Sequence, residues 1–331
     1  MTDPMLHPEQ VEGVVPPGRR WFRLLMYVLA MGLLVGAVYM AITGTDWSKA
    51  AEARPADAAA VLGLVAASLA LNAVMFCLIT RPFEHAQKPI GLVSWLALIA
   101  GSSLLNYLPL RPGLFGRVAY LKQQHAIGYR ASVVTLVATA VGTTGAYAVL
   151  AGITVWWQRM DATWWALCAG GIVAGTLISV PLLSPAVRRL GRAWGRARLR
   201  AAVLAWYVLR LADTLCFTGR FYIVARVMGH PLPLETALVL GVVSNFVVLA
   251  TPLPAGLGLR AWVGGWLLSL GVIQSADGLS LTDGMGILLA DRAAEVLVFV
   301  SAGLVALVYL HRRTGGRGTN SNAPGHREQT A

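Results

Sequence analysis

Long apolar runs alternate with short polar, mostly basic segments along this chain. Runs of about 18 or more apolar residues are long enough to cross a bilayer as helices. Six runs meet that description: about Trp21–Thr43, Ala58–Thr80, Ala131–Trp157, Ala166–Leu183, Ala201–Met228 and Gly284–Leu310. Gly44–Asp57 is a mixed-charge loop and Arg81–Lys88 a short charged one. Two further apolar stretches, Leu92–Leu110 and Leu234–Thr251, each lead into a cluster of helix breakers, and Ala261–Ile273 is a short apolar piece after the second. The pattern predicts an all-α, polytopic membrane protein. Its membrane domain covers 19–313, between disordered cytoplasmic tails at 1–18 and 314–331.

The two breaker segments resemble each other. Pro109-Leu110-Arg111-Pro112-Gly113-Leu114-Phe115-Gly116-Arg117 and Pro252-Leu253-Pro254-Ala255-Gly256-Leu257-Gly258-Leu259-Arg260 both read P-L-x-x-G-L-x-x-R. Proline removes a backbone donor and glycine admits unusual dihedrals, so each copy should interrupt a helix. Interrupted backbone at membrane depth persists only where protein or a wet cavity satisfies it. Paired Gly/Pro-broken segments in two halves of a membrane protein point to a transport site. The plainer reading is two surface loops with Pro/Gly turns.

Charge sets the topology. The chain is 56% apolar and 13% charged, with net charge +12 and mean hydropathy +0.64. That balance excludes a soluble domain. The basic residues sit mostly between apolar runs, so the positive-inside rule and anionic lipid explain them better than nucleic acid does. Arg19/Arg20, the cluster Arg188, Arg189, Arg192, Arg196, Arg198 and Arg200, and Arg312/Arg313 all read as cytoplasmic. The basic cluster, with Leu190 and Trp194 one turn apart, reads equally as an interfacial amphipathic helix or a plain cytoplasmic loop. Arg19-Arg20-Trp21-Phe22 resembles a twin-arginine signal, but the following run is long and lacks a cleavage site, so a retained first helix is expected. Trp156, Trp157, Trp164 and Trp165 bracket the loop at Arg159 like an interfacial belt, on the outside. Keeping the six-arginine loop inside makes Leu92–Leu110 start and end on the cytoplasmic face, while Leu234–Thr251 enters from outside. The prediction is about six full spans plus two opposed re-entrant hairpins, in an inverted repeat around 92–130 and 234–273, with both termini inside.

Several charges fall inside spans, where they usually face the protein interior and mark a pathway. Arg210 and Asp213 lie three apart and share a helix face, with Arg220 further along. Both are expected to point into a cavity between the broken segments, with substrate or water taking the remaining guanidinium donors. Asp291, Arg292 and Glu295 lie toward the outer part of the last helix, where snorkelling to the interface is an equal alternative. His85, His125 and His230 lie near loops and read as solvated. Cys77, Cys168 and Cys216 show no metal-ligand spacing, and their odd number argues against a closed disulfide framework. HExxH, GxSxG and Walker A motifs are missing, so neither enzyme activity nor a cofactor is expected.

At these residues the chain resembles the lysylphosphatidylglycerol synthase transmembrane (flippase-like) family, over about Trp21 to Leu310. The first family signature, N-x-x-P-x-R-x-G-E-x-x-R, is similar to Asn106, Pro109, Arg111, Gly113 and Arg117. The second, P-x-G-G-L-G-x-x-E, is similar to Pro254, Gly256, Leu257 and Gly258, and a later D-R pair falls on Asp291 and Arg292. The signature glutamates fall on Leu114 and Ala261, and the family's acidic-basic pair has no counterpart in Ala131–Trp157. The resemblance implies a stand-alone membrane domain without the aminoacyl-transferase domain, in a bacterial inner membrane. Its expected activity is translocation of an anionic or aminoacylated phospholipid or a polyprenyl-phosphate-linked lipid. The expected binding residues are Asn106, Arg111, Gly113, Arg117, Arg210, Asp213, Gly256, Gly258, Arg260, Asp291 and Arg292. The departures at Leu114 and Ala261 favour a second reading: a non-transporting partner that binds lipid or scaffolds a glycosyltransferase or lipid-modifying enzyme. An intramembrane enzyme built on Asp213, Asp291 and Glu295 ranks last, because no nucleophile-base spacing supports it.

Overall fold

The structure, a computed structural model, describes residues 17–84, 90–108, 112–190, 194–251, 256, 258–270 and 279–315. Among them every regular element is helical. Helix α1 spans Pro17–Gly44, and its leading proline suits a first turn whose N–H would be unpaired anyway. A single turn, α2 (Ser48–Ala51), interrupts the segment expected to be a loop, and α3 (Pro55–Thr80) starts with another proline. A short 3₁₀ turn at Arg81–Phe83 closes it. Helices α4 (Leu92–Leu105) and α5 (Pro112–His125) follow, then α6 (Tyr129–Trp157) and α7 (Ala162–Leu190). The remaining helices are α8 (Arg196–Val227), α9 (Leu234–Ala250), α10 (Leu259–Ser269) and α11 (Leu281–Gly315).

Helices α3, α6, α7, α8 and α11 are long and apolar enough to cross a membrane. The chain is a multi-pass helical membrane protein. Helix α8 is the hub of the packing, against α3, α9 and α7, and α11 packs against α4, α10 and α1. Helices α8 and α11 also carry most of the buried charges, so charge and packing centre on the same place.

Three local expectations change. The basic segment is not one amphipathic helix: Arg188, Arg189 and Leu190 finish α7, while Arg196, Arg198 and Arg200 open α8. Strong helix formers let both spans run on into the polar segment. Trp164 leaves the aromatic belt for the core, fully buried with its Nε1 donating to Thr154 Oγ1 at 3.0 Å, while Trp156 is 87% exposed. His125 is buried beside Tyr120 rather than solvated, and His85 lies outside the described residues.

The two breaks differ in their physical cause. At the first, α5 starts against the end of α4: a Cβ on Gly113 would overlap the Ser102 carbonyl oxygen and come within 2.6 Å of Asn106 Oδ1. At the second, Gly256 and Gly258 have φ of +66° and +74°, open to glycine but strained for other residues. A Cβ on Gly258 would overlap the backbone of Leu33 and Leu34 in α1, and Trp262 Nε1 donates to the Leu33 carbonyl at 3.1 Å. The first glycine thus allows close packing of two helices, and the second pair a turn that α1 can approach.

Candidate functional site

Among the described residues three groups of buried charge stand out. The largest joins α8, α10 and α11. Asp291 and Glu295 are one turn apart on α11 and therefore point the same way. Arg220 of α8 grips Asp291 with two bonds, Nε to Oδ1 and Nη2 to Oδ2, both 2.8 Å, and reaches Glu295 Oε2 at 3.3 Å. Arg260, in the first turn of α10, donates to Glu295 Oε2 at 3.0 Å and to Asp291 Oδ2 at 3.1 Å. Arg292 completes the set, 2.6 Å from Glu295 Oε1, with its guanidinium over the Tyr107 ring. Asp291 is fully buried and Arg220 nearly so. Among the described residues three guanidiniums therefore share two carboxylates, an excess of one positive charge.

This placement settles the position of the α11 triplet. Asp291 and Glu295 lie 10 and 14 residues past Leu281, the start of a 35-residue helix, or about 15 and 21 Å along it. Near-complete burial against Arg220 and Arg260 places both carboxylates inside the bundle rather than along its outer surface.

The second group is Arg210 with Asp213, at 2.8 Å. The free carboxylate oxygen accepts from Ser68 Oγ at 2.5 Å and Asn72 Nδ2 at 3.2 Å, both on α3. The guanidinium stands near the rings of Trp206 and Tyr147. The pair is buried, as expected. Its carboxylate partners come from α3, however, and its rings from α6 and α8, not from the broken segments. An ionised aspartate away from water needs several donors, and α3 supplies a hydroxyl and an amide where an i, i+3 arginine gives only one bond.

The third group is Arg117, in the second turn of α5. It is 5% exposed, donates Nη2 to Ser102 Oγ at 2.7 Å, and lies 4.2 Å from the centre of the Phe76 ring. Among the described residues its Nε and Nη1 have no hydrogen-bond partner, nor does Asn106 Oδ1 at the same α4–α5 break. Arginine stays protonated, so among the described residues this is a buried cation without a carboxylate partner.

Of the expected binding residues, the structure brings Arg260, Asp291 and Arg292 together. Asn106, Gly113 and Arg117 share the α4–α5 break, while Arg210 and Asp213 stand apart. Gly256 and Gly258 shape the turn before Arg260, and Arg111 lies outside the described residues. The expected set left out Arg220 and Glu295, which hold the largest cluster, and the α3 pair Ser68 and Asn72. Glu295 had a local signal, three residues after Arg292 and four after Asp291. Arg220 had none beyond a charge in a span. Among the described residues no group of three or more His, Cys, Asp and Glu could hold a metal. No family model matches the chain, and neither a curated protein nor a solved structure matches it.

Proposed function

We propose that this protein carries the anionic headgroup of a lipid across the bacterial inner membrane, in the manner of the flippase-like family its breaks resemble. The supporting observation is the buried excess of positive charge: Arg117 with two unpartnered nitrogens, and three guanidiniums over two carboxylates. A buried cation with open donors is costly unless something anionic visits it. Guanidinium forks match phosphate oxygens. In this reading the two broken pairs, α4–α5 and α9–α10, dip in from opposite faces as re-entrant hairpins, and both termini are cytoplasmic. The 14 residues of α4 and 11 of α10 cover about 21 and 16 Å, short of the ~30 Å hydrocarbon core. The competing reading, a lipid-binding accessory to a glycosyltransferase or lipid-modifying enzyme, draws on the closure of the α8–α10–α11 cluster upon itself.

Topology is tested with single cysteines in a chain freed of its own three. Asp161→Cys should react with an impermeant maleimide from outside and Gln123→Cys only from inside. Outside labelling at 123 would make Leu92–Leu105 part of a full crossing and end the inverted-repeat reading.

Transport is tested in proteoliposomes with a fluorescent anionic phospholipid and a fluorescent polyprenyl-phosphate lipid. The wild type should translocate one of them. Arg117→Ala, and Arg117→Ala with Arg260→Ala, should slow it by about tenfold or more, the loss of one charge-assisted contact or two. Equal rates in folded, monodisperse variants would remove the transport reading. Binding without translocation by the wild type would favour the accessory role.

A further inference from the structure

A second feature lies away from the charged core, on the lipid side of the bundle. Helices α6 and α7 are pinned together at their connecting loop. Asp161 accepts from the Trp164 backbone and the Trp157 indole, both at 3.0 Å, and the Trp164 amide holds its carboxyl below the usual range. Buried Trp164, Thr154 and Cys168 fill the space behind that loop. Toward the other end the helices enclose a cleft of about 600 Å³, with α8 as its floor. Gly142, Gly145, Gly171 and Gly175 lie on its walls; an added Cβ at Gly145 would meet nothing within 4 Å, whereas Trp206, Val149 and Tyr207 pack closely on the other three, and Pro181 breaks the α7 hydrogen-bond ladder beside it. Val137, Val141 and Ile178 on the walls are more than half exposed, so the cleft opens sideways into hydrocarbon. The wall hydroxyls of Ser179 and Tyr207 bond to each other at 2.8 Å and offer little to a polar guest.

Three properties specify the occupant. The wall is apolar and the volume is within the ~300–1,000 Å³ of pockets that enclose a ligand, so the guest is a hydrocarbon chain. The cleft runs beside α6 from Val133 to Leu150, about 25 Å, against about 15 Å for one leaflet. It is closed at the Trp164 end, so one chain longer than a leaflet fits it better than two tails meeting from opposite leaflets. Exposed Arg130, three residues before Val133, and exposed Arg188 and Arg189, just after Ala186, stand at the end opposite Trp164. Guanidiniums there suit a phosphate. The geometry points to a binding site for a polyprenyl-phosphate type of lipid, its single long chain in the α6–α7 cleft and its phosphate at Arg130, Arg188 and Arg189. The site shares no residue with the charged core, and it stands whether or not that core transports lipid.

The test uses the full chain purified in detergent and native mass spectrometry with three probes: undecaprenyl phosphate, farnesyl phosphate and phosphatidylglycerol. Undecaprenyl phosphate should bind at least about tenfold more tightly than the short-chain and two-tailed probes. Gly145→Phe fills the cleft at a position where an added Cβ meets nothing within 4 Å, and it should weaken binding about tenfold. Gly152→Phe has the same free space on the same helix outside the cleft and should bind as the wild type does. Arg130→Gln with Arg188→Gln and Arg189→Gln should weaken binding of undecaprenyl phosphate by a comparable factor. The assignment is overturned if phosphatidylglycerol binds as tightly as undecaprenyl phosphate. It is overturned equally if Gly145→Phe changes nothing, if Gly152→Phe is as damaging as Gly145→Phe, or if the arginine variant binds normally.

Discussion

Asp291→Ala is expected to be among the most damaging single substitutions in this protein, costing about 3–5 kcal/mol of stability. Asp291 takes two bonds from Arg220 and one from Arg260, and it has no exposure to water. Its removal leaves three guanidiniums around Glu295 alone, raising the buried excess from one positive charge to two. Arginine cannot relieve this by losing a proton. Arg220→Ala should cost less, because it deletes a cation and brings the cluster to neutrality, although Asp291 then keeps only Arg260. Arg220→Met with Asp291→Leu restores the original excess of one and replaces a buried pair with apolar volume, so it should recover much of the loss. Asp57→Ala is the contrast. It breaks a pair with Arg226, whose side chain is 51% exposed, and should cost no more than about 1 kcal/mol. Thermal unfolding of the purified variants ranks the four. If Asp291→Ala and Asp57→Ala unfold alike, the cluster does not hold α8, α10 and α11 together.

How far the sequence reveals this arrangement depends on the range of the interaction. The apolar runs correctly place the long helices, because hydrocarbon thickness acts on each segment alone. Arg210 and Asp213 are legible as a pair because three residues put them on one helical face. The bond from Arg220 to Asp291 crosses 71 positions, and no local spacing reports it. Trp164 departs from its expected place for a related reason. A tryptophan beside a loop has the composition of an interfacial belt, and only the packing of α6 on α7 turns its indole toward Thr154. The α6–α7 cleft is visible in sequence only as Gly and Pro among apolar residues, which fits close packing as well as it fits a void. Side chains elsewhere decide between the two: a Cβ would meet Trp206 within 2.9 Å at Gly142 and nothing within 4 Å at Gly145.

Gly113→Ala should lower stability by about 3 kcal/mol, near the upper end of the usual cost of overpacking, while Gly116→Ala should be neutral or slightly stabilising. Helix propensity alone predicts a gain at both sites, of about 0.5–1 kcal/mol each, since both lie within α5. The surroundings separate them. Gly116 is exposed, and an added Cβ there meets nothing within 4 Å. Gly113 is buried against α4, where the methyl group would overlap the Ser102 carbonyl oxygen. That oxygen already accepts from the Asn106 amide at 3.0 Å, so the last turn of α4 cannot retreat without opening its own ladder. If α5 moves instead, Arg117 leaves Ser102 Oγ, its one hydrogen-bond partner among the described residues. On the proposed transport reading, the fraction of Gly113→Ala that still folds should translocate lipid more slowly than the wild type, although no charge has been changed. Unfolding midpoints of the two alanine variants, read beside their translocation rates, separate these effects. Equal midpoints would mean that α4 and α5 do not pack closely at Gly113. A normal rate in a destabilised Gly113→Ala protein would show that the position of Arg117 does not govern the proposed transport.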